Sequence, residues 1–340
     1  MKDFNGTMSK LQTKWRHEKL PIEGNGKQNG KRYPWILPEG NWQHGLWEGV
    51  RGPLDEYLSP ERGVQVHTGV HNLKSSWALC ANVYFPFRED KKLLAGFLNK
   101  RLSLPVKSVE EVELEFAAKA PLDPSTLLGE PHGQRGQNQT SPDIAFIITT
   151  TSGGKGIILT ENKFTEHSFY GCSGRKKKYG NPDPNRCMNF GSVYARPKEQ
   201  CYQMHWKTQD RDNRKYWCWL HPIFSDEGRR LLKRCPAATA GYQLFRQQAL
   251  AEALASRGGC EYDLVVSAVA YDGRNDTLLS SLRTTGLDDF TKWGTLFNGA
   301  AKFKAFTHQD WFKWVADNNK GTWDGWLEYI DGRYKFSKDE

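Results

Sequence analysis

Two short apolar runs, Ile144-Ala145-Phe146-Ile147-Ile148 and residues 156–160 (GIILT), are separated by little more than a Ser-Gly-Gly-Lys turn. Runs of this length bounded by turn residues read as strands, and a connection this tight joins them only as an antiparallel β-hairpin. Uninterrupted apolar runs reach about five residues, far short of the roughly 20 needed for a membrane helix. The chain is therefore expected to fold around a sheet, with no membrane-spanning helix.

The elements around the hairpin set its context. Trp77, Leu79, Cys80, Val83, Tyr84 and Phe87 recur at three-to-four spacing and predict a helix, and a second helical run spans 90–102, after Pro86. Over 111–117, Val112, Leu114 and Phe116 alternate with Glu111, Glu113 and Glu115, the pattern of a half-buried strand. Residues 119–141 are polar and scattered with Pro and Gly, hence loop. Further on, residues 241–255 (GYQLFRQQALAEALA) predict a helix stopped by Gly258-Gly259, and 262–270 (YDLVVSAVA) a buried strand. The core thus reads α/β, in the order helix, three strands, helix, strand. Flanking it are an irregular N-terminal region rich in Gly, Pro and aromatics (1–63) and a Trp-rich C-terminal region expected to be helical (276–340).

Chemistry concentrates at the hairpin. Ser141-Pro142-Asp143 opens its first strand and Glu161-Asn162-Lys163 closes its second. Residues 161 and 163 share a face because the strand period is two. Asp143 joins them there only if the hairpin loop has an odd number of residues, such as Ser152-Gly153-Gly154, or the ladder carries a bulge. Two carboxylates so placed suit Mg²⁺, which keeps several waters and accepts one or two carboxylates plus phosphate oxygens. A neighbouring ammonium can orient the attacking water and neutralise charge building on a phosphate.

Asp143, Glu161 and Lys163 in this order of elements resemble the PD-(D/E)xK nuclease superfamily. Residues 64–271 more closely resemble a bacterial family of restriction endonucleases within it, through SSWALCANVYFPF (75–87), LLGE (127–130) with QRGQNQTSPDIAF (134–146), ILTENKFTEHSF (158–169) and YQLFRQQALAEAL (242–254). The resemblance implies a restriction-endonuclease-like core (αβββαβ, mixed central sheet) over 64–275 that hydrolyses DNA phosphodiester bonds with Mg²⁺, for which Mn²⁺ can substitute. Asp143 and Glu161 would be metal ligands and Lys163 the catalytic lysine. Glu130 would be the additional acidic ligand, and Gln243 would be directed at the site from the following helix. Asn162 departs from the pattern, since its position is usually apolar. A repair or recombination nuclease acting on ends or branched DNA, and an inactive DNA-binding module on the same fold, are the alternatives. A homodimer and a cognate methyltransferase or other defence component are partners such a nuclease can take.

Charge points the same way. The chain carries 48 Lys and Arg against 39 Asp and Glu, a net +9. All of that excess lies in an insertion at 172–234, where 15 basic residues meet six acidic ones. The insertion leads directly out of the Glu161-x-Lys163 strand, so the run Arg175-Lys176-Lys177-Lys178 is a candidate contact for DNA phosphates. Most of its interleaved aromatics are expected to pack the insertion. Cysteines are seven, an odd number, and residues 1–19 carry no apolar stretch of the signal-peptide kind. Free thiols and a cytoplasmic setting are expected. Cys172, Cys187, Cys201 and Cys218 are available for a structural zinc or an iron–sulfur cluster, but they lack the close pairs that metal sites normally show.

Overall fold

The computed structural model describes residues 3–177, 180–205, 213–257 and 261–337. Five strands form one mixed sheet in chain order: β1 (Val106–Leu114), β2 (Ile144–Thr150), β3 (Lys155–Lys163), β4 (Leu264–Tyr271) and β5 (Lys302–Thr307). The first three are antiparallel, and β4 and β5 continue parallel to β3. All of β4, and all of β3 after Lys155, is buried, which explains why their sequences read as continuous apolar runs rather than as alternation. Strand β1 starts five residues before the predicted 111–117 and stops at Leu114, where Glu115 takes a positive φ of 49°.

The sheet is covered on both faces. Even-numbered residues of β2 to β4, such as Ile144, Phe146, Ile158 and Val266, pack with helix α1 (Phe4–Lys19), helix α2 (Ser76–Val83) and the C-terminal helices α3 (His308–Asn318) and α4 (Asp324–Tyr334). Odd-numbered residues, such as Ala145, Ile157, Leu159 and Val265, meet a helix we call αX (Tyr242–Arg257) together with the insertion. Asn162, a polar side chain on the even face near the end of β3, is fully buried and donates from Nδ2 to the Ser76 carbonyl at the start of α2.

Two expectations are corrected. The N-terminal region is not irregular throughout: α1 runs for 16 residues, and a second helix spans Glu48–Tyr57. The buried face of α1 is Phe4, Met8, Gln12, Trp15 and Arg16. Its periodicity is hidden because two of these five are polar. Gln12 exchanges hydrogen bonds with Arg333, and the Arg16 guanidinium donates to the Pro34 and Ile36 carbonyls. The C-terminal region is not purely helical, since KFKAFT forms edge strand β5. No helix among the described residues is long and apolar enough to cross a membrane.

Where β5 turns into α3, a buried histidine ties the C-terminal region to the end of β3. The Lys163 carbonyl can only accept, so His308 Nε2 must carry the proton of their 3.0 Å contact. Nδ1 then accepts from the Tyr84 hydroxyl at 2.7 Å. Burial holds the His308 pKa down at about 4. A histidine whose folded pKa lies below its unfolded value destabilises as it charges in the unfolded chain. Stability should fall as pH drops from about 6.5 toward 4, by at most about 3 kcal/mol from this group. Denaturation of wild type and His308→Gln across that window should show a shallower decline for the variant; parallel curves would rule the histidine out as the cause.

Candidate active site

The hairpin places its acidic residues as chemistry requires. Ile144 pairs with Thr160 and Thr149 with Lys155, so one further step along the ladder sets Asp143 across from Glu161. The loop beyond the Thr150–Gly154 hydrogen bonds is Thr151-Ser152-Gly153, odd in length as required though one residue earlier than Ser152-Gly153-Gly154, and Gly153 supplies a φ of 92°. Just before β2, the Asp143 carboxylate accepts the Asn162 amide proton at 2.6 Å, which fixes its orientation across the hairpin. The Lys163 ammonium, buried on the same face as Glu161, donates to Glu161 Oε1 at 2.6 Å.

A cleft of ≈ 210 Å³ opens over these residues, lined by Asp143, Glu161, Glu115, Gln243, Arg246 and Gln247. Residues 243, 246 and 247 lie at i, i+3 and i+4, one face of αX turned to the cleft. Gln247 Nε2 donates to the carbonyls of Leu159 and Ala268, bracing the helix on β3 and β4. The Oε1 atoms of Gln243 and Gln247 are buried behind the cleft wall and have no partner among the described residues. His67, exposed, contributes from the segment before α2.

Burial and mutual repulsion dominate the electrostatics of the cleft. Removal from water, and then Glu161, pushes the Asp143 carboxyl well above the usual carboxylate range. Burial, followed by Asp143 and Glu161, does the same to Glu115. Burial alone would lower the Lys163 ammonium, but Glu161, Glu166 and Asp143 hold it raised and charged. The three carboxylates that line the cleft, Asp143, Glu161 and Glu115, thus meet two cations, the Lys163 ammonium and the Arg246 guanidinium, and Glu166 acts on Lys163 as well. Among the described residues no three His, Cys, Asp or Glu side chains form a preformed cage round one ion. Oxygen donors from Asp143 and Glu161 and the excess negative charge nonetheless fit a hard divalent ion that retains its waters.

Of the expected site residues, Asp143, Glu161 and Gln243 line the cleft, and Lys163 reaches it through Glu161. Glu130 does not line it. Its carboxylate accepts from the Thr140 amide and hydroxyl, the Tyr216 hydroxyl at 2.6 Å and Arg246 Nε at 3.2 Å. It therefore stands behind the cleft and positions Arg246. The additional carboxylate in the cleft is Glu115, which looked like the solvated face of an alternating strand. Its companions Glu111 and Glu113 belong to β1 proper, whereas the left-handed turn at 115 carries it to the cleft. Arg135 secures that turn by donating to the Glu115 carbonyl and the Glu113 carboxylate.

The basic run divides. Arg175 is half-buried and donates to the carbonyls of Pro184 and Ala238, while Lys176 and Lys177 are exposed. Lys178 lies outside the described residues. The aromatics Phe190, Trp217 and Phe224 pack on one another inside the insertion. The chain matches the family model described as restriction endonuclease associating with ARP (REase-ARP) over residues 9–335. Comparisons with curated proteins and with solved structures give no significant match.

A carboxyl whose folded pKa is raised holds its proton more tightly when folded, so stability is lost as pH rises from the unfolded value toward the folded one. For Glu115 that loss begins near its ordinary 4.5. Glu115→Gln should stabilise the metal-free protein at pH 8 by about 1 kcal/mol. It should also shrink the rise in melting temperature produced by Mg²⁺ or Mn²⁺. A variant no more stable than wild type would show that the three carboxylates do not repel one another.

Proposed function

We propose that this chain, which belongs to the REase-ARP family of restriction endonucleases associating with ARP, hydrolyses DNA phosphodiester bonds at the Asp143–Glu161–Lys163 cleft. The family points to a nuclease-like role. The observation that carries the finer reading is the register that sets Asp143 opposite Glu161, with the Lys163 ammonium bonded to Glu161 on the same face. The order of α2, three strands, αX and β4 supports a PD-(D/E)xK core of αβββαβ type.

Asp143 and Glu161 would hold Mg²⁺, or Mn²⁺ in its place, with Glu115 within electrostatic reach. When bound, such an ion supplies a Lewis acid for a phosphate oxygen and lowers the pKa of a coordinated water. Lys163 keeps its proton and places a fixed positive charge where negative charge builds on the phosphate. The Asn162 amide holds the Asp143 carboxylate in one orientation, so little reorganisation is needed when substrate enters. The Gln243 carbonyl oxygen, buried and without a partner among the described residues, would accept a hydrogen once its side chain turns toward the cleft. Exposed Lys176 and Lys177 would contact DNA phosphates. The family description adds ARP as a protein partner.

Asp143→Asn and Lys163→Met should each lower cleavage of supercoiled plasmid in Mg²⁺ by about 10²-fold or more while leaving DNA affinity within about threefold. Linear, single-stranded and branched DNA assayed beside the plasmid would reveal a preference for ends or junctions. Failure to cut any of them in Mg²⁺ or Mn²⁺, with or without ARP, would overturn the assignment. Replacing Lys176 and Lys177 by Ala should weaken binding evenly across sequences and reduce the salt slope by about 2. An unchanged slope would remove these lysines from the interface.

A further inference from the structure

Away from the cleft, a second cavity of ≈ 30 Å³ is lined by Cys172, Cys187, Cys201 and Cys235. These thiols come from four separate stretches, three in the insertion and one, at Cys235, just after it. The pairing of those stretches is made by backbone: Cys235 N donates to the Cys187 carbonyl at 3.0 Å, and Cys172 N to the Ala237 carbonyl at 2.9 Å. Arg175 adds its bonds to Pro184 and Ala238. Gln203 brings in the fourth stretch, donating from Nε2 to Cys172 Sγ at 3.2 Å and to the Tyr242 hydroxyl at 2.9 Å. Cys218, expected as the fourth member, is exposed on the short helix Tyr216–Leu220 and does not line this cavity.

We propose that Cys172, Cys187, Cys201 and Cys235 bind a thiophilic metal centre. The ligand chemistry is four thiolates in a dry pocket, common to Zn²⁺ and to an iron–sulfur cluster. All four are free cysteines, and the space between them exceeds the ~10–15 Å³ that one water requires. No three of them already close on a single point. They line one small cavity, which a single zinc ion would occupy by drawing the thiols inward and an iron–sulfur cluster would have to widen. The rest of the wall mixes aromatic side chains, Trp217, Tyr242 and Phe245, with polar ones, Arg175, Arg186 and Gln203. Burial, and then the like charges of Cys187, Cys201 and Cys172, holds the Cys235 thiol well above its ordinary range. Gln203 donates to Cys172 Sγ, so the pocket already supplies one donor to a sulfur. A bound cation would stabilise all four thiolates and lock the insertion.

The centre would also bear on the cleft. Tyr242 and Phe245 line the cysteine cavity, while Gln243 and Arg246, on the adjoining face of the same helix turn, line the cleft. Metal binding would therefore order the start of αX, which brings Gln243 to the cleft.

The full chain, purified anaerobically, would be analysed for zinc, iron and acid-labile sulfide, with its visible spectrum recorded. About one zinc per chain without colour identifies the ion. Iron and sulfide in equal amounts with a broad absorption band near ~400 nm identify the cluster. Cys187→Ser, Cys201→Ser and Cys235→Ser should each lose most of that metal, and Cys218→Ser should retain all of it. Wild-type protein that folds, yet takes up neither zinc nor iron with sulfide on reconstitution, overturns the proposal without reliance on any variant. So does full metal content in Cys235→Ser, or equal loss in Cys218→Ser.

Discussion

The register of the β2–β3 hairpin is the constraint on which the rest of the molecule near the cleft depends. Because side chains alternate faces, a slip of one residue would move Asp143 to the face packed by α2 and leave Glu161 and Lys163 on the other. The three-residue loop closed by Gly153 and the apolar sets on both faces hold the register jointly. Ile144, Phe146 and Ile158 have no alternative home on the αX side, where Ala145, Ile157 and Leu159 already fit under Leu244 and Ala251. Core packing and site assembly are thus the same structural choice.

That choice gathers charge in a place that resists it. Ion pairs taken out of water recover their desolvation only when geometry is good and remaining hydrogen-bond capacity is met. Lys163 meets the condition in part, with one ammonium N–H bonded to Glu161, and its carbonyl accepts from His308, which Tyr84 in turn holds. The neutral histidine matters here, since a charged imidazole so close would add to the field of Lys163. Asp143 and Glu115 remain under-compensated, and strongly perturbed carboxyls gathered in a cleft mark a candidate functional site.

Most of the chemistry was readable because it lies on strong local signals. Apolar runs with a tight turn define a hairpin, and period two places Glu161 beside Lys163. Elsewhere the decisive contacts are non-local. Glu115 joins the cleft through a single left-handed residue that alternation cannot reveal. α1 escapes notice because Gln12 and Arg16 occupy buried positions through bonds to partners as distant as Arg333. β5 is short, only partly buried and flanked by tryptophan-rich helices, so its alternation is faint. Cys235 belongs with Cys172 and Cys187 only because backbone hydrogen bonds bring three distant stretches together.

The buried Glu130 shows how the insertion and the cleft are joined. Its two oxygens take donors from the loop before Asp143, through Thr140, from the insertion, through Tyr216, and from αX, through Arg246. As a source of stability such an arrangement is weak, because an apolar replacement of equal volume avoids the desolvation it incurs. Its value is orientation. With Glu130 anchored, Arg246 keeps one side-chain direction beside the cleft, and the loop carrying Ser141-Pro142-Asp143 is pinned to the helix that faces it. Removing the carboxylate alone would leave the Arg246 charge and the Tyr216 hydroxyl without their acceptor. Three segments remote in sequence would then lose their common reference at once. The buried Glu130 therefore serves the cleft from behind, by fixing Arg246 and the loop that carries Asp143 rather than by lining it.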